Sequence, residues 1–415
     1  MDAFGATSAR MPVAPLGEAL SPHERTRFAR HVILPGLGDE GQRRMRSARV
    51  LVVGAGGLGS PVLLYLAAAG VGRLTVVDDD VVDATNLQRQ VVHGVEDVGR
   101  DKTASAVDAL ARLAPEVEVR PVAERLTAAN VLELVADHHV VVDGADNFPT
   151  RYLVGDACAR LGVPHVWGSV YQHDAQVSVW WAGVGPCYRC VFPTPPPPGA
   201  VPSCSTGGVL GASVGAVGSV MAEEVVKLLV GGGEPLVGRL LLHDAWRQEW
   251  STIPVAADPH CVVCGVDADE RAPLGIEEAD ASGAGFPGDG SAGDGSAGGG
   301  QVGMPALTAS DLADRLRARE EGADDFVLVD VREPGERDVV VIPGALAVPL
   351  GEVRAHGREA LAEVGDGIQV LVHCKTGARS AEAVERLRAE GVDAVDVTGG
   401  VLAWVRDVDP SQPTY

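Results

Sequence analysis

The stretch RVLVVGAGGLGSPVLLYLAAAG, residues 49–70, decides the fold of the first part of the chain. Its apolar run predicts a buried strand, its glycines a tight loop, and the residues after them a helix with Pro61 in its first turn and Gly70 at its end. A second apolar strand, RLTVVD, follows at residues 73–78. This strand–helix–strand unit predicts an α/β fold, a Rossmann-like, mostly parallel sheet.

The C-terminal part alternates in the same way. DFVLVDVRE, IQVLVHC and AVDVTGG are typical of short strands, and SAEAVERLRAEG is typical of a helix, so a second, smaller α/β domain is predicted. Between the two parts, GAGFPGDGSAGDGSAGGG has almost nothing to bury and indicates a linker. We therefore expect a flexible tail at residues 1–20, a first domain at 21–269, a linker at 270–303 and a second domain at 304–415.

The charge balance limits the possible partners. Lys and Arg number 34 against 57 Asp and Glu, a net charge of −23, which argues against a nucleic-acid surface and against binding to acidic membranes. The sequence contains no apolar run of about 18 residues, and its first residues lack the apolar core of a secretory signal. We expect a cytoplasmic protein.

The glycine-rich loop is a candidate phosphate site. Gly54, Gly56, Gly57 and Gly59 follow a strand and precede a helix, so backbone amides can approach a phosphate at a helix N-terminus. Asp78, at the end of the next strand, can hold ribose hydroxyls. These features alone fit a nicotinamide dehydrogenase equally well.

Charged residues farther along the chain distinguish two kinds of chemistry. The candidates are Asn86, Arg89, Gln90, Lys102 and, at the end of a later strand, Asp146. Hydride transfer needs no cations aimed at phosphate, whereas displacement of pyrophosphate needs positive charge on the phosphate oxygens and usually a carboxylate for Mg²⁺. The set favours nucleotidyl transfer, and an NAD-dependent oxidoreductase is the alternative.

The motifs GAGGLG, DDD…TNLQRQ, VGRDK and ADN resemble the ThiF/MoeB-like adenylating domain. That domain is shared by ubiquitin-activating enzymes and by bacterial molybdopterin-synthase and thiamin sulfur-carrier adenylyltransferases. The resemblance implies that Asp78 holds the ATP ribose, Arg89 and Lys102 the phosphates, and Asp146 the Mg²⁺ or the α-phosphate region. It also implies a homodimer, because Arg30 in RFARHVILPG matches an arginine that reaches into the neighbouring subunit's site. The implied substrate is a small ubiquitin-like carrier protein whose C-terminal Gly-Gly ends in the reacting carboxylate.

Four cysteines have the spacing of metal ligands. Cys187 and Cys190 form one C-x2-C pair, and Cys261 and Cys264 form another. Two such pairs predict a tetrahedral zinc site of structural type, since four thiolates leave no open position. A redox dithiol is the alternative.

Cys204 lies in VPSCSTGGVLG, a loop after a proline run. The family resemblance implies a cysteine here that forms a covalent link with the carrier or with its sulfur donor. An incidental loop cysteine is the alternative.

The segment HCKTGARS, residues 373–380, places Cys374 between a strand and a helix, with Lys375 and Arg379 near it. Loop amides that curl around the sulfur would favour an anion. The loop and its flanks resemble a rhodanese domain, which has four residues between Cys and Arg where related phosphatases have five. The resemblance implies that Cys374 carries a persulfide, taken from thiosulfate or from a cysteine desulfurase.

The order of the two domains resembles actinobacterial adenylyltransferase/sulfurtransferases that act on sulfur carriers. It implies that the Cys374 persulfide attacks the carrier adenylate and that a C-terminal thiocarboxylate results. The alternatives are an adenylyltransferase with a rhodanese-like module that only docks a partner, and an NAD-dependent oxidoreductase fused to a sulfurtransferase. Whether the carrier serves molybdopterin, cysteine, thiamin or a secondary metabolite stays open.

Overall fold

The computed structural model describes residues 11–196, 208–269, 272–276, 306–362, 364–365 and 367–414. They belong to two compact units, a first unit up to residue 276 and a second unit from residue 306. The Gly-rich segment at 283–300, inside the linker predicted at 270–303, lies outside the described residues. Among the described helices, none combines the length and the apolar composition that a membrane-spanning helix requires.

The first unit is built on one eight-stranded sheet in the order β3-β2-β1-β4-β5-β6-β7-β8. Its strands are β1 Arg49–Val53, β2 Arg73–Val77, β3 Glu118–Val122, β4 Val140–Asp143, β5 His165–Tyr171, β6 Asp174–Trp180, β7 Arg239–Asp244 and β8 Glu249–Pro254. The pairs from β3 to β5 are parallel, and those from β5 to β8 are antiparallel.

Nine α-helices belong to the described part of this unit. They are α1 Pro22–Arg27, α2 Ala29–Val32, α3 Gly38–Ser47, α4 Gly59–Ala68, α5 Lys102–Leu113, α6 Val131–Ala136, α7 Phe148–Leu161, α8 Tyr188–Val191 and α9 Gly211–Val230. The main core lies between the sheet and the apolar faces of α4 and α9, which contact each other closely. The parallel strands β1, β2 and β4 are rich in Val and Leu and are buried on both faces, as parallel strands covered by helices are.

The sheet has a topological switch point between β1 and β4. The two strands run parallel, with Val53 of β1 paired with Asp143 of β4. The sheet extends from β1 to β2 on one side and from β4 to β5 on the other. Ligands of open α/β sheets bind in the crevice where the strand order reverses, so the loops after β1 and β4 are placed to form a site.

The second unit has a five-stranded parallel sheet in the order β11-β10-β12-β13-β9. Its strands are β9 Ala306–Leu307, β10 Phe326–Asp330, β11 Leu346–Ala347, β12 Gln369–His373 and β13 Ala394–Val397, and its helices are α10 Ala309–Glu320, α11 Pro334–Arg337, α12 Leu350–His356, α13 Ala378–Ala389 and α14 Gly400–Asp407. The prediction of an α/β chain, with a Rossmann-like sheet followed by a smaller α/β domain, is confirmed.

The described part of the predicted N-terminal tail is attached to the first unit. Ala14 is buried, and the Val13 amide donates to the carbonyl of Leu228 at 3.0 Å. The guanidinium groups of Arg43 and Arg44 on α3 donate to carbonyls of this segment at 2.7–3.0 Å. Residues 13–20 therefore differ from the predicted loose tail, because arginines of α3 satisfy their backbone.

A second difference concerns the start of the predicted linker. Residues 272–276 lie against the first unit, where Arg189 Nη2 donates to the Gly275 carbonyl at 2.6 Å and the Gly275 amide donates to Asp156 at 2.8 Å. Leu274 packs against a buried cluster of the same unit. The boundary predicted at residue 269 is thus too early, because a Pro- and Gly-containing segment can be fixed by backbone hydrogen bonds that composition does not show.

Candidate active sites

The turn after β1 requires glycine at two positions. Gly54 has a φ of 89°, in the left-handed region that other residues rarely adopt. A Cβ added at Gly59 would lie 1.8 Å from the Gly54 carbonyl oxygen. Glycine at these positions lets α4 begin directly against the end of β1.

The loop leaves two backbone amides without a hydrogen-bond partner among the described residues. The Gly56 carbonyl accepts from the Ser60 amide at 2.9 Å and from the Ser60 hydroxyl at 2.7 Å. Within the described part of the chain, the amides of Gly56 and Gly57 form no hydrogen bond. Two neighbouring unbonded amides at a helix N-terminus have the arrangement of an anion site, and we call this pair of amides the cradle.

Asp78 and Lys102 lie beside this loop. Asp78 accepts the Ala55 amide at 2.7 Å and the Asp80 amide at 2.9 Å, and burial raises its pKa although the charge of Lys102 opposes the effect. The buried Lys102 ammonium bonds to Asp80 at 2.8 Å. Burial alone would lower the pKa of Lys102, but the charges of Asp78, Asp80 and Asp146 raise it above its usual value. A buried cation is thus held ionised near the cradle.

Asn86, Arg89 and Gln90 come together on the other side of the loop. Arg89 Nη2 donates to Asn86 Oδ1 at 2.7 Å. A Cβ at Gly57 would lie 3.6 Å from the Arg89 side chain, and one at Gly56 would lie 3.7 Å from Gln90 Nε2. Gln90 is buried, and its Oε1 has no partner among the described atoms.

Asp146 and Arg30 are less closely tied to the loop. Asp146 is exposed in the loop after β4, at the switch point of the sheet. Arg30 is exposed on α2, and the described contacts do not join it to the glycine loop of the same chain. The role predicted for Arg30 therefore stays a prediction that depends on a second subunit.

His93 was not among the predicted site residues. Its Nε2 lies 2.9 Å from the Ala55 carbonyl oxygen, and its Nδ1 lies 2.8 Å from Ser105 Oγ. It stands between the TNLQRQ and VGRDK motifs, so its position in the sequence was the one signal that could have identified it.

The four predicted metal-binding cysteines converge. The sulfur of Cys187 lies 3.7 Å from that of Cys190 and 3.5 Å from that of Cys261, and the sulfurs of Cys190 and Cys264 are 3.4 Å apart. All four lie within 4.8 Å of one another. Zn–S bonds of about 2.3 Å in a tetrahedron separate the sulfurs by about 3.8 Å, so this donor set fits zinc.

The cysteine cluster is connected to α7. Arg189, inside the first C-x2-C pair, donates to both Asp156 oxygens at 2.7 and 2.9 Å, and its guanidinium lies 4.7 Å from the Tyr152 ring centroid. α7 begins directly after Asp146 and Asn147. The cysteine cluster is therefore joined by one ion pair to the helix that follows the Asp146 loop.

In the second unit, the loop after β12 encloses the Cys374 sulfur. The Gly377 amide donates to this sulfur at 3.1 Å, and the Ser380 hydroxyl lies 3.5 Å from it. Gly377 has a φ of 118°, which lets its amide turn inward. Cys374 and Lys375 are both buried, and these two donors, the amide and the hydroxyl, lie against the sulfur.

Arg379 has a partner that sequence reasoning missed. Its guanidinium forms a two-point ion pair with the buried Glu336 carboxylate at 2.6 and 2.7 Å. Glu336 lies on α11, more than forty residues earlier in the chain, and only the REPGE pattern after β10 could have suggested it.

Three buried polar residues lie at the ends of the strands next to the Cys374 loop. Arg332 donates to Asp330 from Nε at 2.9 Å and from Nη2 at 2.7 Å, and both residues are fully buried. His373, also fully buried, has its Nε2 3.7 Å from Asp330 Oδ2. The Asp330–Arg332 ion pair lies at the end of β10, and His373 is the last residue of β12, directly before the loop.

Of the two remaining cysteines, the structure describes one. Cys204 lies outside the described residues, so its predicted covalent role stays a prediction. Cys158 on α7 is buried among apolar side chains, and burial raises its pKa well above the usual value.

Comparison with known proteins gives the family. The ThiF family model matches residues 28–263, and the rhodanese-like domain model matches residues 308–407. The probable adenylyltransferase/sulfurtransferase MoeZ of Mycobacterium tuberculosis is 43% identical over 409 residues, 97% of this chain and 98% of its own length. The adenylyltransferase and sulfurtransferase MOCS3 of Bos taurus is 41% identical over 432 residues, 99% of this chain and 92% of its own. The sulfur carrier protein adenylyltransferase of Thermus thermophilus is 51% identical over 253 residues, 60% of this chain and 93% of its own.

Solved structures agree on the fold of the first unit. E. coli MccB with AMPCPP and MccA has a TM-score of 0.52 at 23% identity, covering 58% of this chain and 74% of that one. PaaA has a TM-score of 0.51 at 22% identity, covering 58% and 76%. The resemblance inferred from the sequence motifs is confirmed by the family models and by the full-length relatives. The chain belongs to the ThiF family, within the group of adenylyltransferase/sulfurtransferases in which a ThiF domain is followed by a rhodanese-like domain.

Proposed function

We propose that the first domain uses ATP to adenylate the C-terminal glycine carboxylate of a small ubiquitin-like sulfur-carrier protein, and that the second domain converts the adenylate to a thiocarboxylate. The observation that carries the proposal is the pair of unbonded amides, Gly56 and Gly57, beside the cations Arg89 and Lys102. Amides in such a loop also bind the phosphates of a dinucleotide, so the cations beside them distinguish phosphate transfer from hydride transfer, which needs none. The printed name of the Thermus relative supports a sulfur carrier as substrate.

Adenylation needs alignment and charge rather than a protein nucleophile. A carboxylate oxygen of the carrier attacks the α-phosphorus of ATP, the bond to the β-phosphate oxygen breaks, and pyrophosphate leaves with the electron pair. Asp78 would hold the ribose, and the loop amides with Arg89 and Lys102 would hold the phosphates. Mg²⁺ bound at Asp146 would offset phosphate charge.

Arg30 would act across a homodimer. It is exposed on α2, beside Ile33 and Leu34, whose large apolar side chains are 68% and 51% exposed. A second copy that covers these side chains would bring Arg30 near the partner's cradle. Mixing Arg30→Ala chains with Lys102→Ala chains gives mixed dimers. If each site uses residues from both copies, these mixed dimers would regain activity that neither variant has alone.

Sulfur transfer would begin from a persulfide on Cys374, formed with thiosulfate or a desulfurase persulfide as the donor. The outer sulfur attacks the acyl carbon of the adenylate, AMP leaves, and an acyl disulfide forms. The thiolate of Cys204 then attacks the Cys374 sulfur, which releases the carrier thiocarboxylate and leaves a Cys204–Cys374 disulfide. An external thiol reduces this disulfide. The Gly377 amide and the Ser380 hydroxyl stabilise the sulfur anion of Cys374 at the beginning and end of the cycle.

The four-cysteine cluster would hold zinc as a structural ion. All four positions are protein thiolates, so none is left for substrate. Zinc bound there would fix the segment that carries Arg189 and, through Asp156, the position of α7.

The decisive measurement is the intact mass of a candidate carrier, a small ubiquitin-like protein that ends in Gly-Gly, after incubation with the full chain, ATP, Mg²⁺ and thiosulfate. We expect a gain of about 16 Da, the replacement of one oxygen by sulfur, with the wild type and with a Cys158→Ala control. Cys374→Ala should give no gain but should still support ATP–pyrophosphate exchange.

Each outcome has a separate meaning. Exchange without any gain in mass by the wild type would overturn the sulfur-transfer half. A gain in mass that persists in Cys374→Ala would show that the second domain only docks a partner. Absence of exchange with every carrier that ends in Gly-Gly would overturn the adenylation half.

A further inference from the structure

His93 is a buried histidine that the reaction as written does not use. It is 8% exposed and contacts the glycine loop on one side and α5 on the other. Ser105, its partner on α5, lies one helical turn after Lys102. A single ring thus joins the two elements that flank the phosphate cradle.

The chemistry of the partners fixes which ring nitrogen donates to the loop. A carbonyl oxygen only accepts, so the 2.9 Å contact with Ala55 requires a proton on Nε2. Burial lowers the pKa of His93 and the charge of Lys102 adds to this effect, whereas the Ala55 carbonyl and the charge of Asp97 oppose it. The lowered pKa leaves the ring neutral at pH 7, and the contact with Ala55 places its one proton on Nε2. Nε2 would donate to Ala55 in the charged form as well.

Fixing this carbonyl also fixes the next amide. In a trans peptide unit the C=O and the N–H point in opposite directions. The Ala55 carbonyl points to His93, so the Gly56 N–H of the same peptide unit points away from His93, and it is one of the two unbonded amides. Ser60 holds the Gly56 carbonyl and so directs the Gly57 N–H in the same way.

We propose that His93 is a positioning residue for ATP binding, which holds the Ala55–Gly56 peptide unit so that the Gly56 amide donates to a phosphate. The proposal rests on the proposed function, because it assumes that the cradle binds ATP. Without His93 this unit, with glycine on both sides of Ala55, can rotate and lose the amide as a donor. The contribution is to phosphate recognition and leaves the nucleoside contacts unchanged.

The test compares the binding of ATP with that of adenosine, which lacks the phosphates. Dissociation constants of the full chain for Mg²⁺-ATP, and for adenosine in competition, are measured by titration calorimetry. The variants are His93→Phe, which keeps a ring but no donor, and His93→Gln, whose amide reaches the Nε2 position. His138→Phe is the matched control, because His138 is equally buried and joins α6 to β2 through Leu134 and Thr75, away from the loop.

We expect His93→Phe to weaken ATP binding about tenfold, the effect of losing one hydrogen bond to a charged group, and to leave adenosine binding unchanged. His93→Gln should restore most of the loss, and His138→Phe should change neither constant. If His93→Phe does not fold, His93→Asn, which is too short to reach Ala55, takes its place in the comparison with His93→Gln.

An equal loss of ATP and adenosine binding in the His93 variant would overturn the proposal, as would a His93→Gln variant no better than His93→Phe. The same holds if His138→Phe weakens ATP binding as much. Failure of the wild type to bind ATP would instead overturn the proposed function together with this inference.

Discussion

His373 should make the second domain sensitive to acid. The ring is fully buried beside Asp330, and burial lowers its pKa from 6.5 to about 4, although the charge of Asp330 opposes this. In the unfolded chain the same ring titrates near pH 6.5. Between these two values the unfolded state binds a proton that the folded state does not, so folding loses stability as the pH falls.

The magnitude follows from the difference between the two pKa values. One unit of pH inside this window is worth about 1.4 kcal/mol, so lowering the pH from 7.5 to 5 should cost the second domain about 2 kcal/mol. At pH 4 the loss approaches about 3 kcal/mol. Asp330 contributes little in this range, because its pKa is lowered below the usual value for a carboxyl group.

Amide hydrogen exchange at pH 7.5 and pH 5, corrected for the intrinsic rate, measures the free energy of opening for each domain separately. Peptides from β12 report on the second domain, and peptides from β1 serve as an internal reference. His373→Phe should abolish the difference between the two pH values, whereas His356→Gln should keep it because His356 is exposed. A wild-type loss below about 0.5 kcal/mol, or an equal loss in His373→Phe, would refute the reasoning.

Three other substitutions test separate parts of the chain. Lys102→Ala should abolish ATP–pyrophosphate exchange, since a buried cation at the cradle is lost, whereas Lys227→Ala should keep it; retained exchange in the first variant would contradict its assignment. Asp330→Asn should destabilise the second domain by about 3 kcal/mol, a fall of about 15 °C in its unfolding temperature by calorimetry, because Arg332 stays buried without its counter-charge. A shift of only a few degrees would show that the remaining carbonyl acceptors suffice. Cys261→Ser should lower the zinc content measured by mass spectrometry from about one ion per chain, and an unchanged content would remove this cysteine from the ligand set.

The parts of the two sites that are local in sequence could be predicted. The glycine loop follows from the positive φ of Gly54 and the close approach at Gly59, both set within a few residues. The four-residue spacing between Cys374 and Arg379 is local in the same sense. Such features are visible in the sequence because the chain conformation and the chemistry are decided by neighbours.

The parts that were missed depend on distant partners. His93 becomes part of the cradle only because α5 places Ser105 opposite the loop, and Glu336 reaches Arg379 only through the order of β10 and β12 in the sheet. Neither residue type is distinctive by itself, so no pattern within the sequence separates them from ordinary polar side chains.

The two boundary differences have the same origin. Residues 13–20 and 272–276 have the composition of loose segments, and each is fixed by arginines from helices remote in sequence. Composition measures how much apolar surface a segment can bury, but it does not count hydrogen bonds from elsewhere to its carbonyl groups.

The scarcity of lysine has a chemical consequence for an enzyme that makes acyl-adenylates. Lys102, Lys227 and Lys375 are the lysines of this chain, and other positive side chains are arginine. Lys102 and Lys375 are buried, and Lys227 forms an ion pair with Glu224. A free amine would capture an activated acyl group as an amide, whereas a guanidinium, which stays protonated, would not. Arginine in place of lysine at the surface would therefore keep the protein from being acylated by the carrier adenylate. The adenylate then stays available for attack by the persulfide sulfur.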